Sequence, residues 1–277
     1  MIKVKRLNDF KVQKLKLPNV NKEKWIGRKL FKEPFCNINI VARKMSGKTN
    51  LIYNILKKCS NKHTEIHIFC STCLKDRSWI EIIKYLENRG NVVHKHTSIF
   101  EDGDNLIERF MLENNIDEEE DEEDEIVHVI EEKKYVPSYV DFEEEEVVVK
   151  KPKKKKKGRL APEHIIIFDD LSGEMRNKSI DSLYKANRHY KLMTISSSQS
   201  SFQLTNSSRK QQDYWIIMKG MNLEKLKEVH KDADVGVKFD NFLEIYKYAT
   251  MRPYSFLYID TRDDSFRSNF DNQLIMG

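Results

Sequence analysis

The stretch Ile38-Asn39-Ile40-Val41-Ala42-Arg43-Lys44-Met45-Ser46-Gly47-Lys48-Thr49 decides how this chain is read. Its first five residues are a mostly apolar run of strand length, and its last four are a Ser-Gly-Lys-Thr tetrad. Directly afterwards Leu51, Ile52, Ile55 and Leu56 recur at helical spacing and draw one apolar stripe. Strand, turn and amphipathic helix in that order form the context of a phosphate-binding loop. In such a loop the backbone N–H groups of the turn and of the helix start surround phosphate oxygens, and the helix dipole favours the anion. Ala42, Arg43, Lys44, Met45, Ser46, Gly47, Lys48 and Thr49 are therefore the candidate nucleotide cradle. Lys48, expected at a solvent-accessible helix start, would reach the β and γ oxygens of ATP, and the Thr49 hydroxyl would ligate Mg²⁺. One position departs from the pattern. The first glycine, five places before Gly47, is Ala42, which leaves Gly47 as the unhindered backbone near the phosphates. The competing reading is a Ser-Gly helix start with no ligand.

A second stretch bears on the choice. Ile165-Ile166-Ile167-Phe168 ends in Asp169-Asp170 and reads as a strand buried on both faces, as in parallel sheets. A phosphate-loop enzyme needs a carboxylate at the end of a neighbouring strand to hold hydrated Mg²⁺, and Asp169 suits that role. Asp170, expected to point to the other side, would accept a proton from the attacking water, with a shorter reach than glutamate. One strand later Leu192–Ile195 runs into Ser196-Ser197-Ser198-Gln199. Gln199 then lies at the carboxyl end of a sheet strand, where it would sense the γ-phosphate or orient water. Arg188, in Asn187-Arg188-His189-Tyr190 before that strand, and Arg209 after it are each either phosphate ligands or surface cations.

Around these motifs the 277 residues read as alternating strands and helices. Strand-like runs fall at 65–70, 92–93, 163–168, 192–195, 214–218 and 256–259. Helical stripes fall at Trp79, Ile82, Ile83 and Leu86, at Ile180, Leu183 and Tyr184, and over 223–229 and 239–248. Alternation of this kind implies βαβ units and an α/β fold with a mainly parallel, helix-covered sheet. Trp25 and Phe31 suggest that part of the N-terminal segment packs on the core. The expected organisation is a basic N-terminal segment (1–33), a half carrying the phosphate loop (34–116), a low-complexity acidic and lysine-rich insertion (117–158), and a second half with C-terminal helices and a strand (159–277). Asp117 to Glu125 are nine consecutive acids, and Lys153 to Lys157 are five consecutive lysines. Repulsion within the acid run disfavours a packed element, so the insertion reads as disordered. It would be a solvated loop, a tether for a basic partner, or an acidic mimic of nucleic acid. Of the 49 basic and 44 acidic residues, 9 and 16 lie within 117–157, so the remainder carries a surplus of +12. That surplus suits a polyanionic partner bound through its backbone. No apolar run is long enough for a membrane span, no secretory signal is evident, and four cysteines make no disulfide framework. The expected setting is soluble and intracellular.

Taken together, Ser-Gly-Lys-Thr, the hydrophobic run into Asp-Asp, Arg-His-Tyr before a strand ending Ser-Ser-Gln-Ser, and a later arginine resemble the FtsK/HerA-type genome-packaging ATPases of large DNA viruses, the poxvirus-type class, and of virophages. The resemblance spans roughly residues 35–220, apart from the charged insertion. It implies a RecA-like core that works as a homo-oligomeric ring, commonly a hexamer, and pumps double-stranded DNA into a preformed capsid. It implies ATP and Mg²⁺ as cofactors, capsid proteins as partners, and the virion or a cytoplasmic viral factory as location. By the same resemblance Lys48 and Thr49 fall on the phosphate loop, Asp169 and Asp170 on the metal-holding and water-activating positions, and Gln199 on the sensor. Arg188 falls on the arginine that acts on a neighbouring subunit's nucleotide. The alternatives are a phosphate-loop protein that binds DNA or capsid with weak hydrolysis, and a nucleotide kinase.

Overall fold

The apolar run at the start of the deciding stretch forms β1 (Asn37–Val41), which is buried at every position. It is buried because it has parallel neighbours on both edges, β7 (Leu192–Ser198) and β8 (Tyr214–Met218). The computed structural model describes residues 24–114, 160–171 and 173–275. Outward from β7 come β6 (His164–Asp169), β2 (Glu65–Cys70) and the edge strand β3 (Val93–His96), all parallel. Beyond β8 the sheet turns antiparallel through β9 (Phe256–Asp260), β10 (Ser265–Ser268) and β11 (Asn272–Leu274). The order is β11-β10-β9-β8-β1-β7-β6-β2-β3, so strands from 34–116 and from 159–277 interleave in one nine-stranded sheet.

Because successive strand residues face opposite ways, a sheet covered on both sides needs apolar residues at nearly every position. Ile38, Ile40, Ile66, Ile68, Ile165 and Ile167 meet the stripes of α1 (Lys48–Cys59) and α2 (Arg77–Asn88) on one face. On the other face α3 (Leu106–Glu113) and α4 (Lys178–Ala186) cover Phe69, Ile166, Phe168 and Leu192. Beside them α6 (Leu223–Ala233) and α7 (Phe239–Ala249) cover Trp215, Ile217, Leu257 and Ile259. The result is the expected α/β class, a mainly parallel sheet between helical layers. Trp25 and Phe31 are buried, and Trp25 Nε1 donates to the Phe31 carbonyl at 2.8 Å. Under α3 the sheet carries polar residues as well, and burial, with His94, His164 and His96 nearby, pushes the His67 pKa down to about 3.

Several boundaries differ from the sequence reading. β7 continues through Ser196, Ser197 and Ser198, which pair with Asn39, Ile40 and Val41. Hydrogen bonding makes two of these hydroxyls tolerable inside, Ser196 meeting the Tyr184 hydroxyl and Ser198 Oγ donating to the Ser200 carbonyl at 2.9 Å, whereas the buried Ser197 Oγ has no partner among the described residues. The strand expected at Val92–Val93 begins at Val93 and runs to His96. The hairpin of β4 (Phe100–Glu101) and β5 (Asp104–Asn105), helix α3, the short α5 (Asn206–Lys210), and the β10–β11 hairpin were not expected. The hairpins and α5 are short and polar, whereas α3 carries a stripe of Leu106, Ile107, Phe110 and Met111 only two turns long, just before the acid run. The charged insertion, with its expected disorder, and residues 1–23 of the N-terminal segment lie outside the described residues. No helix among those described is long and apolar enough to cross a membrane.

Candidate nucleotide site

The carboxyl ends of β1, β6 and β7 lie side by side, and in open α/β sheets ligands bind at such ends. Ala42 remains in the ladder, its N–H donating to the Ser198 carbonyl at 2.9 Å and its methyl buried in the core. The turn bends into left-handed backbone at Met45 (φ +61) and Gly47 (φ +90), and not at Ala42. A glycine is thus not required at position 42. Position 47 does require one, since a Cβ there would also lie 3.1 Å from the Tyr254 ring. Ser46 Oγ closes the turn by donating to the Arg43 carbonyl at 2.7 Å, while Arg43, Lys44 and Met45 are exposed. Helix α1 starts with no side-chain cap and no acid in its first turn. By contrast, Asp76 caps α2 and Asn222 caps α6. The first amides of α1 are therefore offered to an anion rather than to a protein side chain.

Opposite the loop, β6 delivers the acid pair. Asp169 is buried, and its Oδ2 accepts a hydrogen bond from Trp79 Nε1 at 2.9 Å. The ammonium of Lys48 lies 3.0 Å from Asp169 Oδ1 and 2.5 Å from Asp170 Oδ2. Two expectations are corrected here. Asp170 does not point away from Asp169, because it is the first residue past the strand and its φ of +52 swings the carboxylate back toward Lys48. Aspartate tolerates that conformation better than most residues. Nor is Lys48 solvent-accessible: its side chain is 13% exposed because it reaches inward to the carboxylates. Burial alone would lower its pKa, but the Asp169 charge and the contacts with both carboxylates outweigh burial and raise it.

These residues fit a magnesium nucleotide. The buried Asp169 carboxylate and the half-buried Thr49 hydroxyl in the first turn of α1 are hard oxygen donors. The bridging Lys48 places the loop and both acids around one charged spot.

Gln199 is exposed one residue beyond β7, and its carbonyl accepts from Lys225 Nζ at 2.8 Å. It belongs to the same end of the sheet as Ala42–Thr49, Asp169 and Asp170. Arg188 does not. It precedes β7, so the length of that strand puts it about 20 Å from the acid pair. Its side chain is 65% exposed and lies 3.7 Å from Asp213 Oδ1, an oxygen that Arg262 also contacts. Arg209 is drawn inside, 3.4 Å from Asp232 and 5.2 Å above the Phe202 ring. Two residues of the site escaped sequence reasoning. Trp79 read only as part of an apolar helix stripe, and Tyr254, 72% exposed in the loop before β9, sat in no motif.

No protein-family model matches the sequence, and no curated protein matches it in sequence. Solved structures do match in fold. The genome packaging NTPase B204 from Sulfolobus turreted icosahedral virus 2, in complex with AMP, is 16% identical, with a TM-score of 0.51 over 88% of this chain and all of that one. B204, the DNA-packaging ATPase from Sulfolobus Turreted Icosahedral Virus, is 17% identical, with a TM-score of 0.52 over 84% of this chain and 96% of that one. The virus 2 protein in complex with ATP-gammaS is 19% identical, with a TM-score of 0.50 over 85% of this chain and 96% of that one. At these identities the likeness is one of architecture, and this chain shares its fold with viral genome-packaging NTPases.

Proposed function

We propose that this chain is an Mg²⁺-dependent ATPase that moves double-stranded DNA into a viral capsid as a homo-oligomeric ring, such as a hexamer. The observation that carries the reading is the meeting of Lys48 with Asp169 and Asp170 at 3.0 and 2.5 Å, beside an uncapped helix start. Support also comes from the fold shared with B204, a DNA-packaging ATPase solved in complex with AMP and ATP-gammaS. The +12 surplus outside 117–157 suits duplex DNA held by its phosphates, without base reading.

In this mechanism the amides of α1 and the Lys48 ammonium hold the β and γ phosphate oxygens, Lys48 turning from the carboxylates to the anion. Thr49 and Asp169 would hold Mg²⁺, which when bound would supply neutralisation of the phosphate charge. Trp79 fixes Asp169 by occupying its second oxygen. Asp170 accepts the proton of the attacking water, and Gln199 orients that water or reads the γ-phosphate. Arg188, at the far end of the sheet, acts on the nucleotide of the next subunit. Capsid proteins are the docking partner, and the virion or a cytoplasmic viral factory is the place of action.

The test is phosphate release from ATP by the full chain, with and without duplex DNA. Stimulation by DNA of any sequence, lost in Asp169→Asn, is expected. Turnover indifferent to DNA would remove the translocase reading.

A further inference from the structure

A second cluster of chemistry lies on the other side of the molecule. On the face of the sheet turned toward α3, β2 contributes Glu65 and His67, two residues apart and therefore on one side. Strand register sets His94 of β3 directly beside His67, and His164 of β6 directly beside Glu65. His94 Nε2 lies 2.5 Å from Glu65 Oε1, and His164 Nδ1 lies 3.5 Å from Glu65 Oε2. The His67 and His94 rings stack at 4.5 Å and 12°. Phe110 of α3 stands edge-on to His67 at 5.2 Å and to His164 at 5.1 Å, closing one side of a pocket of about 350 Å³. Buried polar groups are costly unless partnered, yet His67 Nε2 is buried with no hydrogen bond. The opposite face of the same strand carries Ile66, Ile68 and Cys70, as packing alone would ask.

We propose that Glu65, His67 and His94 bind a divalent transition-metal ion, zinc by preference, with His164 positioning Glu65. One ligand atom from each of the three lies within 4.8 Å of the others. A tetrahedral zinc ion with bonds of about 2.0–2.1 Å needs ligand atoms about 3.3 Å apart, so His94 and Glu65 open slightly and His67 closes in by side-chain rotation. Two imidazoles with one carboxylate favour zinc over magnesium or calcium, which take oxygen donors. Water completes the coordination from the open side of the pocket. Arg109 and Glu113 also line this pocket, 3.9 Å apart, so the nearest fixed cation is offset by its own acid. The bound ion would tie the edge strand β3, which has one neighbour and four residues, to β2. Glu65 and His164 begin their strands whereas Asp169 ends β6, about 16 Å away, so this site is separate from the nucleotide site.

The experiment uses the full chain stripped with EDTA and titrated with zinc chloride by calorimetry, with melting followed in parallel. Cobalt chloride serves as the spectroscopic probe. One zinc ion per chain, a higher melting temperature, and the visible absorption of four-coordinate cobalt are expected. His94→Ala and Glu65→Gln should each weaken zinc binding at least tenfold, and His164→Ala by about tenfold, the usual effect of losing a group that orients a ligand. Glu65→Gln preserves the side chain's shape and covers the case in which His94→Ala loosens the edge strand. Absence of zinc binding would overturn the proposal. So would zinc binding that persists in His94→Ala and Glu65→Gln, or that disappears in Asp169→Asn instead.

Discussion

Lys48 joins two elements that have no other ion pair between them among the described residues, the start of α1 and the end of β6. Replacing it with methionine keeps the length but leaves Asp169 Oδ1 buried beside a second carboxylate and no cation. Removing one partner of a fully buried ion pair costs about 3–5 kcal/mol, and the 40% exposure of the Asp170 side chain moderates that cost here. Lys48→Met is therefore expected to lower the urea midpoint at pH 7 and to abolish ATP turnover. The pH dependence follows from the raised pKa of Lys48. A cation whose folded pKa lies above its unfolded value adds stability that is fully present below the ordinary 10.5 and fades as pH rises through the higher folded value. Wild-type and Lys48→Met midpoints should thus converge above about pH 10.5. A gap that stays constant through that range would show that the ion pair is not what stabilises the wild type. Trp79 acts one bond further out. Trp79→Phe removes the N–H given to Asp169 Oδ2 while retaining an aromatic core residue. The Mg²⁺ concentration for half-maximal phosphate release should rise about tenfold. A merely structural tryptophan would lower the melting temperature and leave that midpoint alone.

At the scale of elements, the β1–α1 connection is two backbone problems with different answers. Residue 42, one past β1, still donates its N–H to β7 and accepts a methyl, whereas residue 47 is left-handed and faces the Tyr254 ring. Gly47→Ala should therefore lose about 1–2 kcal/mol of stability and bind a fluorescent ATP analogue more weakly. Ala42→Gly removes one buried methyl, worth about 0.8 kcal/mol, and should leave nucleotide affinity unchanged. A large gain in affinity for Ala42→Gly would show that the missing glycine does matter. The extension of β7 through three serines has a similar logic. Central strands are normally apolar, but serine is small, and backbone pairing with Asn39, Ile40 and Val41 carries the ladder up to Ser198, next to Gln199.

At the scale of the whole molecule, the placement of Arg188 decides how it can act. An arginine about 20 Å from its own acid pair cannot serve its own nucleotide, but in a ring it can face the neighbour's. Arg209, paired with Asp232 and packed on Phe202, has a structural occupation already. Arg188→Ala and Lys48→Ala subunits should each lack turnover alone and recover part of it when mixed, because some interfaces then combine an intact Lys48 with an intact neighbouring Arg188. No recovery from demonstrably mixed rings would exclude action in trans, and full activity of Arg188→Ala alone would remove it from the site.

Local pattern was enough for the strands and helices that carry strong periods, and for the turn that joins β1 to α1. The stripe of Leu51, Ile52, Ile55 and Leu56, the run Ile165–Phe168, and the Ser-Gly-Lys-Thr turn each report their element within a few residues. Short polar elements such as α5 and the β10–β11 hairpin left no such trace, because neighbours rather than periodicity stabilise them, and the stripe of α3 is only two turns long. Distances across the chain were also beyond reach. Trp79 and Asp169 are 90 residues apart, and nothing in an apolar stripe says that one tryptophan turns its N–H to a carboxylate. The return of Asp170 toward Lys48 depends on a single backbone angle, and the gathering of Glu65, His67, His94 and His164 depends on strand register. Both are set when distant segments pair, which is why only the tertiary structure decided them.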